Sequence, residues 1–394
     1  MKPLHLRAMK RAWLANGPVP GPNVDALAGV GQIREALSGS CQPSLLAIQY
    51  PQHTVGARER GESLDQAMIG LRQALAELVR DTYEEVSDLV VIYHVNGHDG
   101  ELWGVMCLVD PTEVRDDGFR TVSLTEDTYD DIVAERAAVL RDLGCATSAV
   151  LLTPMALTDE LTGLVRDEAR RHGAASLVLV DDQQRRHSLW QVNDERRQQA
   201  LLREAGTHPL LVADGNHRVA ATLAADLGGL LALVTAGPDL RLGAFHRCLI
   251  GTGLDTDALI ETWRQAGFQV TDPVPAAAPD TPGTMVVLTR ERAFAVHFPQ
   301  LLDADGNLRL DHETLELALL TTTLHLQPGG GSLQPLPTAQ FDGTVPQSAD
   351  ALFLMAPVPL EHMVTLYRQG RRMPRKSTYF TPKPHSGILL AALV

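Results

Sequence analysis

Apolar positions along the chain follow two periods. Leu64, Ala67, Met68, Leu71, Leu75 and Leu78 recur at helical spacing and predict an amphipathic helix over 64–79. The same spacing predicts helices over 130–143, 157–172 and 312–323. Short apolar runs bounded by turn residues predict strands over 44–49, 148–152, 176–180, 210–213, 284–288 and 293–298. Two further runs, 89–94 and 102–108, flank Asn96-Gly97-His98-Asp99-Gly100, which is the pattern of a hairpin. Helix and strand alternate through the middle third, so the predicted class is α/β, of the mixed α+β kind. Segments 271–283, rich in Pro and Ala, and 327–337, with Gly329-Gly330-Gly331, read as linkers.

Composition removes several function classes. The chain has 394 residues, enough for two or three structural units, and its 44% apolar and 21% charged residues are those of a globular protein. A net charge of −14 argues against wrapping nucleic acid, which needs a basic surface excess. No stretch approaches the roughly 18 to 20 apolar residues that span a bilayer. Residues 1–15 carry Lys2, Arg7, Lys10 and Arg11 and lack the uninterrupted apolar run of a signal peptide, so the expected location is cytoplasmic. Cys41, Cys107, Cys145 and Cys248 lie too far apart for a C-x-x-C redox or zinc motif. The 14 histidines include no H-E-x-x-H spacing, which argues against a metal-dependent hydrolase.

The stretch richest in chemistry runs from Leu210 to Ala221, an apolar strand leading through Asp214-Gly215-Asn216-His217-Arg218 into a helix. A helix N-terminus is a natural seat for a phosphate, because the first-turn amides and the dipole both favour an anion there. Gly215 would let the backbone approach closely, Arg218 would add a planar fork of donors, and Asp214 would cap the helix or help hold magnesium. On pattern alone the same residues also read as a turn with Asp214 as its cap and His217 and Arg218 on the surface. Neither a Walker loop nor the protein-kinase signature set is present.

The surrounding landmarks resemble the domain of unknown function 1015 family. In order, Asp181-Asp182, His187-Ser188-Leu189-Trp190 and Ala213-Asp214-Gly215-Asn216-His217-Arg218 resemble that family's acidic turn, His-x-Leu-Trp strand and Ala-Asp-Gly-His-His-Arg loop. Phe245-His246-Arg247 resembles its Thr-His-Arg segment, and 374–384 its C-terminal Pro-Pro-Lys-Ser-Thr-Tyr-Phe-x-Pro-Lys signature. The match covers most of 44–394. That family is in turn similar to the free-serine kinases built on the fold shared by ParB and sulfiredoxin. The resemblance implies a ParB/sulfiredoxin-like nucleotide-binding core over 116–250, between α/β units at 1–115 and 251–394, with region 374–388 returning to the site.

It also implies roles. The loop of Gly215, Asn216 and Arg218 would bind the phosphates of ATP or ADP, with Asp214 and His217 catalytic and Asp214 on magnesium. Glu126, in Leu124-Thr125-Glu126-Asp127-Thr128, inherits the part of the base that takes the proton of the serine hydroxyl. Taken alone, Glu126 reads instead as an acid near the start of the 130–143 helix. Lys376 and Lys383 would reach phosphate or a substrate carboxylate, while Arg371 and Arg372 read as a solvated basic face. Thr128, Arg136, His187, Trp190, His246 and Arg247 would line the substrate pocket, although His187 and His246 also read as satisfied structural histidines. Thr125, Asn216 and Glu135 stand where the family has His, His and Asp, and Gly21-Pro22-Asn23-Val24-Asp25 is the nearest counterpart of its N-terminal Pro-Tyr-Asp-Val. These departures bear on the acceptor more than on the nucleotide, because Asp214, Gly215, His217 and Arg218 are kept.

The expected protein is therefore a kinase for free L-serine or a related hydroxyl amino acid, with room for a homodimer. The rival is a ParB-like regulator that binds nucleotide without transferring phosphate. A sulfiredoxin-like repair enzyme would need a cysteine at the loop, and 214–218 has none.

Overall fold

The computed structural model describes residues 5–24, 27, 30–39, 44–114, 118, 120–156, 160–235, 240–298, 302–303, 305–317, 323–326 and 331–393. The chain forms two compact units, and they interleave in sequence. The first comprises Met1–Leu124, Thr128–Arg241 and Thr381–Val394, and the second Thr125–Asp127 with Leu242–Phe380.

The first unit is built on a mixed sheet. Its principal elements in chain order are β1 (Met9–Ala15), β2 (Tyr83–Gly97), β3 (Gly100–Val109), α1 (Asp130–Leu143), β4 (Val150–Pro154), β5 (Arg186–Val192), β6 (Leu210–Asp214), α2 (Asn216–Ala225) and β7 (Leu230–Val234). The sheet runs β6, β4, β7, β3, β2, β1 and then the strand Leu389–Ala392. β4 pairs parallel with β7, and the other neighbours in that run pair antiparallel. Alternate residues Val90 and Ile92, Val105 and Cys107, Val150 and Leu152, Leu210 and Val212 turn to one face. There they pack on Leu161 and Val165 of the helix Glu160–His172 and on Leu201 and Leu202 of the helix Glu195–Ala205. Each such side chain, fully buried, contributes about 1.5–3 kcal/mol. The opposite face carries Leu75, Leu78, Val139 and Leu390, so the strands read as apolar runs with little alternation.

The second unit has its own sheet and core. Strands β8 (Arg241–Leu249), β9 (Thr284–Leu288), β10 (Ala293–His297), β11 (Leu333–Pro337) and β12 (Ala351–Leu354) run in the order β10, β9, β12, β8, β11. Leu259, Ile260 and Trp263 of the helix Thr256–Gln265 pack on Met285, Val287, Phe294 and Phe353.

Several predicted elements change character. The run expected as a strand over 44–49 is the helix Leu45–Gln49, capped by the Ser44 side chain on the Ala47 amide. The single helix over 64–79 is two, Leu64–Ala67 and Leu71–Thr82, broken where Gly70 takes φ 82. Residues 333–337, read as linker, form the edge strand β11, where Pro335 and Pro337 are tolerated because one side of the strand makes no ladder. Part of the expected helix over 312–323, the start of that over 157–172, and Cys41 lie outside the described residues. No helix among the described residues is long and apolar enough to cross a membrane.

Candidate functional site

The loop after β6 is shaped by two local devices. The pairing of β6 with β4 slips between Val212 and Asp214, so Ala213 is an extra residue in the ladder and the strand end turns as it reaches Asp214. Gly215 then takes φ 103, a backbone region open mainly to glycine. A Cβ there would meet Val150 Cγ1 at 2.8 Å and Arg218 Nε at 2.9 Å. α2 starts at Asn216, which is 9% exposed, and the tip carries the positive end of the helix dipole.

Asp214 lies between two cations. Its Oδ2 accepts from Arg218 Nη2 at 2.6 Å and its Oδ1 from Lys383 Nζ at 2.6 Å, with the three side chains only 16–22% exposed. Arg218 also donates through Nη1 to the Ala149 carbonyl at 2.6 Å, which fixes the plane of the guanidinium. His217 accepts the Tyr129 amide at Nε2, at 3.0 Å, and stacks on the Tyr129 ring. In the neutral ring the proton therefore sits on Nδ1.

Lys383 is held by a tethered segment. Thr381 donates to Asp99, the His385 amide donates to Tyr93 Oη at 2.9 Å, and Tyr83 Oη donates to the Gly387 carbonyl at 2.7 Å. Behind Tyr93 lies a buried relay: Tyr93 Oη lies 2.6 Å from His187 Nδ1, His187 Nε2 lies 3.1 Å from Asp181, and Arg185 Nε donates to Asp181 at 2.7 Å. Burial pushes His187 down to about 4 against the opposing pull of Asp181. For Asp181 burial pushes up, but the hydrogen bonds from Arg185 and His187 prevail and hold it at about 2. His187 is fully enclosed, and Trp190 donates Nε1 to the Gly173 carbonyl from within the core, so both support the fold beside the strands rather than present a surface.

Glu126 belongs to the second unit and is 8% exposed. Its Oε2 accepts the Lys376 amide at 2.9 Å. Its Oε1 accepts the Ser377 and Thr378 amides, each at 2.9 Å, and Thr378 Oγ1 at 3.0 Å. Lys376 has φ 57, and its Nζ lies 5.5 Å from the centre of the Phe245 ring. Arg247, 3% exposed, donates to the carbonyls of Lys376 and Arg375 and pairs with Glu316 at 3.4 Å. His246 is fully buried, accepts the Met355 amide at Nδ1, and is pushed down to about 4 by burial. These residues brace 374–380 from inside the second unit, which gives His246 and Arg247 a structural place in addition to the one the resemblance implies.

Arg136 in the first unit lies over the Tyr50 ring and donates to its hydroxyl. It lines, with Arg218, a cavity bordered by α1, α2 and β7. Thr128 is half-buried just before α1. Sequence reasoning missed the cavity's polar members, Gln49, Thr147 and Ser148, where Gln49 Nε2 donates to both hydroxyls. No motif marks them, because they converge only through folding. It also missed Tyr129, whose contact with His217 spans 88 positions.

Asp214 does not fit a resident magnesium. Each of its oxygens already accepts from a cation, and no group of three or more His, Cys, Asp or Glu among the described residues could hold a metal ion.

A family model described as a protein of unknown function, DUF1015, matches residues 32–313. Among solved structures, SbnI with a C-terminal truncation, from Staphylococcus aureus, is similar at 12% identity and TM-score 0.42, covering 71% of this chain and 85% of that one. A free serine kinase variant in complex with AMP is similar at 11% identity and TM-score 0.40, covering 74% and 93%. A variant of a free serine kinase in complex with ADP is similar at 12% identity and TM-score 0.38, covering 71% and 95%. A search among curated proteins gives no match.

Proposed function

This chain belongs to the DUF1015 family, and from that premise we propose that it is a phosphotransferase moving a phosphoryl group from ATP or ADP to the hydroxyl of free L-serine or a related hydroxyl amino acid. The observation that carries the reading is the loop at the tip of α2, where Arg218 and Lys383 both grip Asp214 at 2.6 Å. A nucleotide phosphate competes with Asp214 for those two cations, and the helix dipole adds to its hold. Transfer then needs mostly position and charge neutralisation, since the transition state is loose and its charge lies on the phosphoryl oxygens. The acceptor oxygen forms its bond to phosphorus as the bond to the nucleotide's bridging oxygen breaks, the nucleotide leaves with that electron pair, and the acceptor proton passes to Glu126. Gly215, Asn216 and His217 shape the phosphate seat, and Thr128 and Arg136 hold the acceptor. His187 and Trp190 support the strands of the first unit, while His246 and Arg247 brace 374–380 in the second.

One observation favours a second reading, nucleotide binding without transfer. Both oxygens of Glu126 accept from the segment 376–378, an arrangement that suits a structural clamp. The test is incubation of the purified chain with labelled ATP or ADP, magnesium and a panel of hydroxyl amino acids. A phosphorylated amino acid is the expected product. Nucleotide binding with transfer to none of the panel overturns the kinase reading and leaves the regulator.

A further inference from the structure

The cavity beside the loop has a mixed lining, apolar and polar, and all of it belongs to the first unit. The apolar part of the lining is Val139, Leu140 and Leu143 of α1, Ala221 of α2 and Leu230 and Leu231 of β7. Cys145 adds no charge, because burial pushes its thiol up to about 12. The same lining includes Arg136, Arg218, Gln49, Thr147 and Ser148, so two guanidiniums, an amide and two hydroxyls border the cavity, and no carboxylate side chain is part of the lining. Arg136 Nε is enclosed and has no hydrogen-bond partner among the described residues. A buried N–H left in that state is destabilising until an acceptor reaches it. Arg218 faces both ways, since it lines the cavity and donates to Asp214 at the phosphate loop.

A lining of this kind selects a small molecule with a carboxylate head and an apolar body. Free serine satisfies only half of it, because its side chain is a single hydroxymethyl group and leaves the aliphatic wall uncovered. Resting on the phosphotransferase reading above, we infer that the cavity is the acceptor pocket and that the preferred acceptor is a hydroxyl amino acid with an apolar extension beyond serine. Its carboxylate meets Arg136 and the hydroxyls of Thr147 and Ser148, and its body lies along Leu140, Leu143 and Leu231. Covering apolar lining strengthens binding with each methylene-sized group, so a few carbons separate a preferred acceptor from serine by tenfold or more.

The test is calorimetry without nucleotide, using L-serine, 3-hydroxyleucine and 3-phenylserine as probes on the full chain. At least one extended probe is expected to bind ten times more tightly than serine. Leu140→Trp, which fills the cavity, and Arg136→Met, which removes the head's partner, are each expected to weaken that probe at least tenfold, by more than any change in nucleotide affinity. Melting curves of both variants establish that they are folded, and Leu143→Phe serves in place of either that is not. Serine binding as tightly as the extended probes, or folded cavity-filling variants that bind them undiminished, overturns the inference. The two readings fail separately. Transfer to serine with no preference for extended probes leaves the kinase and removes this pocket, whereas tight probe binding with no transfer to any acceptor leaves the pocket and removes the kinase.

Discussion

Two carboxylates, one in each unit, are held in opposite ways. Asp214 is gripped by the side chains of Arg218 and Lys383, whereas Glu126 is gripped by three main-chain amides and a hydroxyl. Charged side chains can turn toward a competing anion, so the Asp214 arrangement is exchangeable. Main-chain amides move only if the backbone of 376–378 moves, so the Glu126 arrangement fixes a loop. The difference separates an ion-pair cluster that can exchange partners from a buried tie that fixes a loop.

The largest expected effect comes from the tie. Glu126→Gln sets an amide group against main-chain N–H donors and is expected to cost about 3 kcal/mol of stability, read by denaturant unfolding. If the variant instead melts like the parent while transfer is abolished, Glu126 is the base and the clamp reading fails. Acid sharpens the contrast next, because the tether of Lys383 runs through Tyr93 to His187. His187 titrates at about 4 in the folded chain against an ordinary 6.5. Between those values the unfolded chain takes up a proton that the folded chain refuses, so stability is full above pH 6.5 and is lost as pH falls toward 4. The loss is on the order of 3 kcal/mol, and His187→Asn is expected to flatten that part of the pH profile. Lys383→Met is expected to weaken nucleotide binding about tenfold, near 1.4 kcal/mol, and to lower its salt dependence, both measurable by titration at two ionic strengths. Asp214→Asn has the smallest expected effect on folding, about 1 kcal/mol or less, because its pairs are partly solvated. It is expected to leave inorganic phosphate bound at least as tightly as before, since Arg218 and Lys383 lose their internal competitor. Phosphate binding weakened tenfold by that substitution would break the comparison.

The sequence made the loop legible because all its parts are contiguous. An apolar strand, a turn that needs glycine and a helix start follow one another from Leu210 to Ala225, and β6 and α2 lie there. The helix over 130–143 and the hairpin of β2 and β3 were legible for the same local reason. The helix Leu45–Gln49 was not, since Leu45, Leu46 and Ile48 are buried and an apolar run that short fits either period. Nor were the donors to Glu126 at 376–378, which lie about 250 positions away with no motif joining the two segments. The interleaving of the units escaped for a related reason: three residues, Thr125–Asp127, leave the first unit for the second, and no compositional shift marks them.

The strand Leu389–Ala392 lies between β1 and the short strand Cys145–Ala146, with a ladder on each side. During synthesis the early strands of the first unit therefore leave the ribosome long before their partner does, and β1 keeps an open edge until residue 392 emerges. Lys383 also follows Asp214 by 169 positions, so a nascent chain has Asp214 before it has its lysine. The Asp214–Lys383 pair is completed at the same late moment as the sheet beside it.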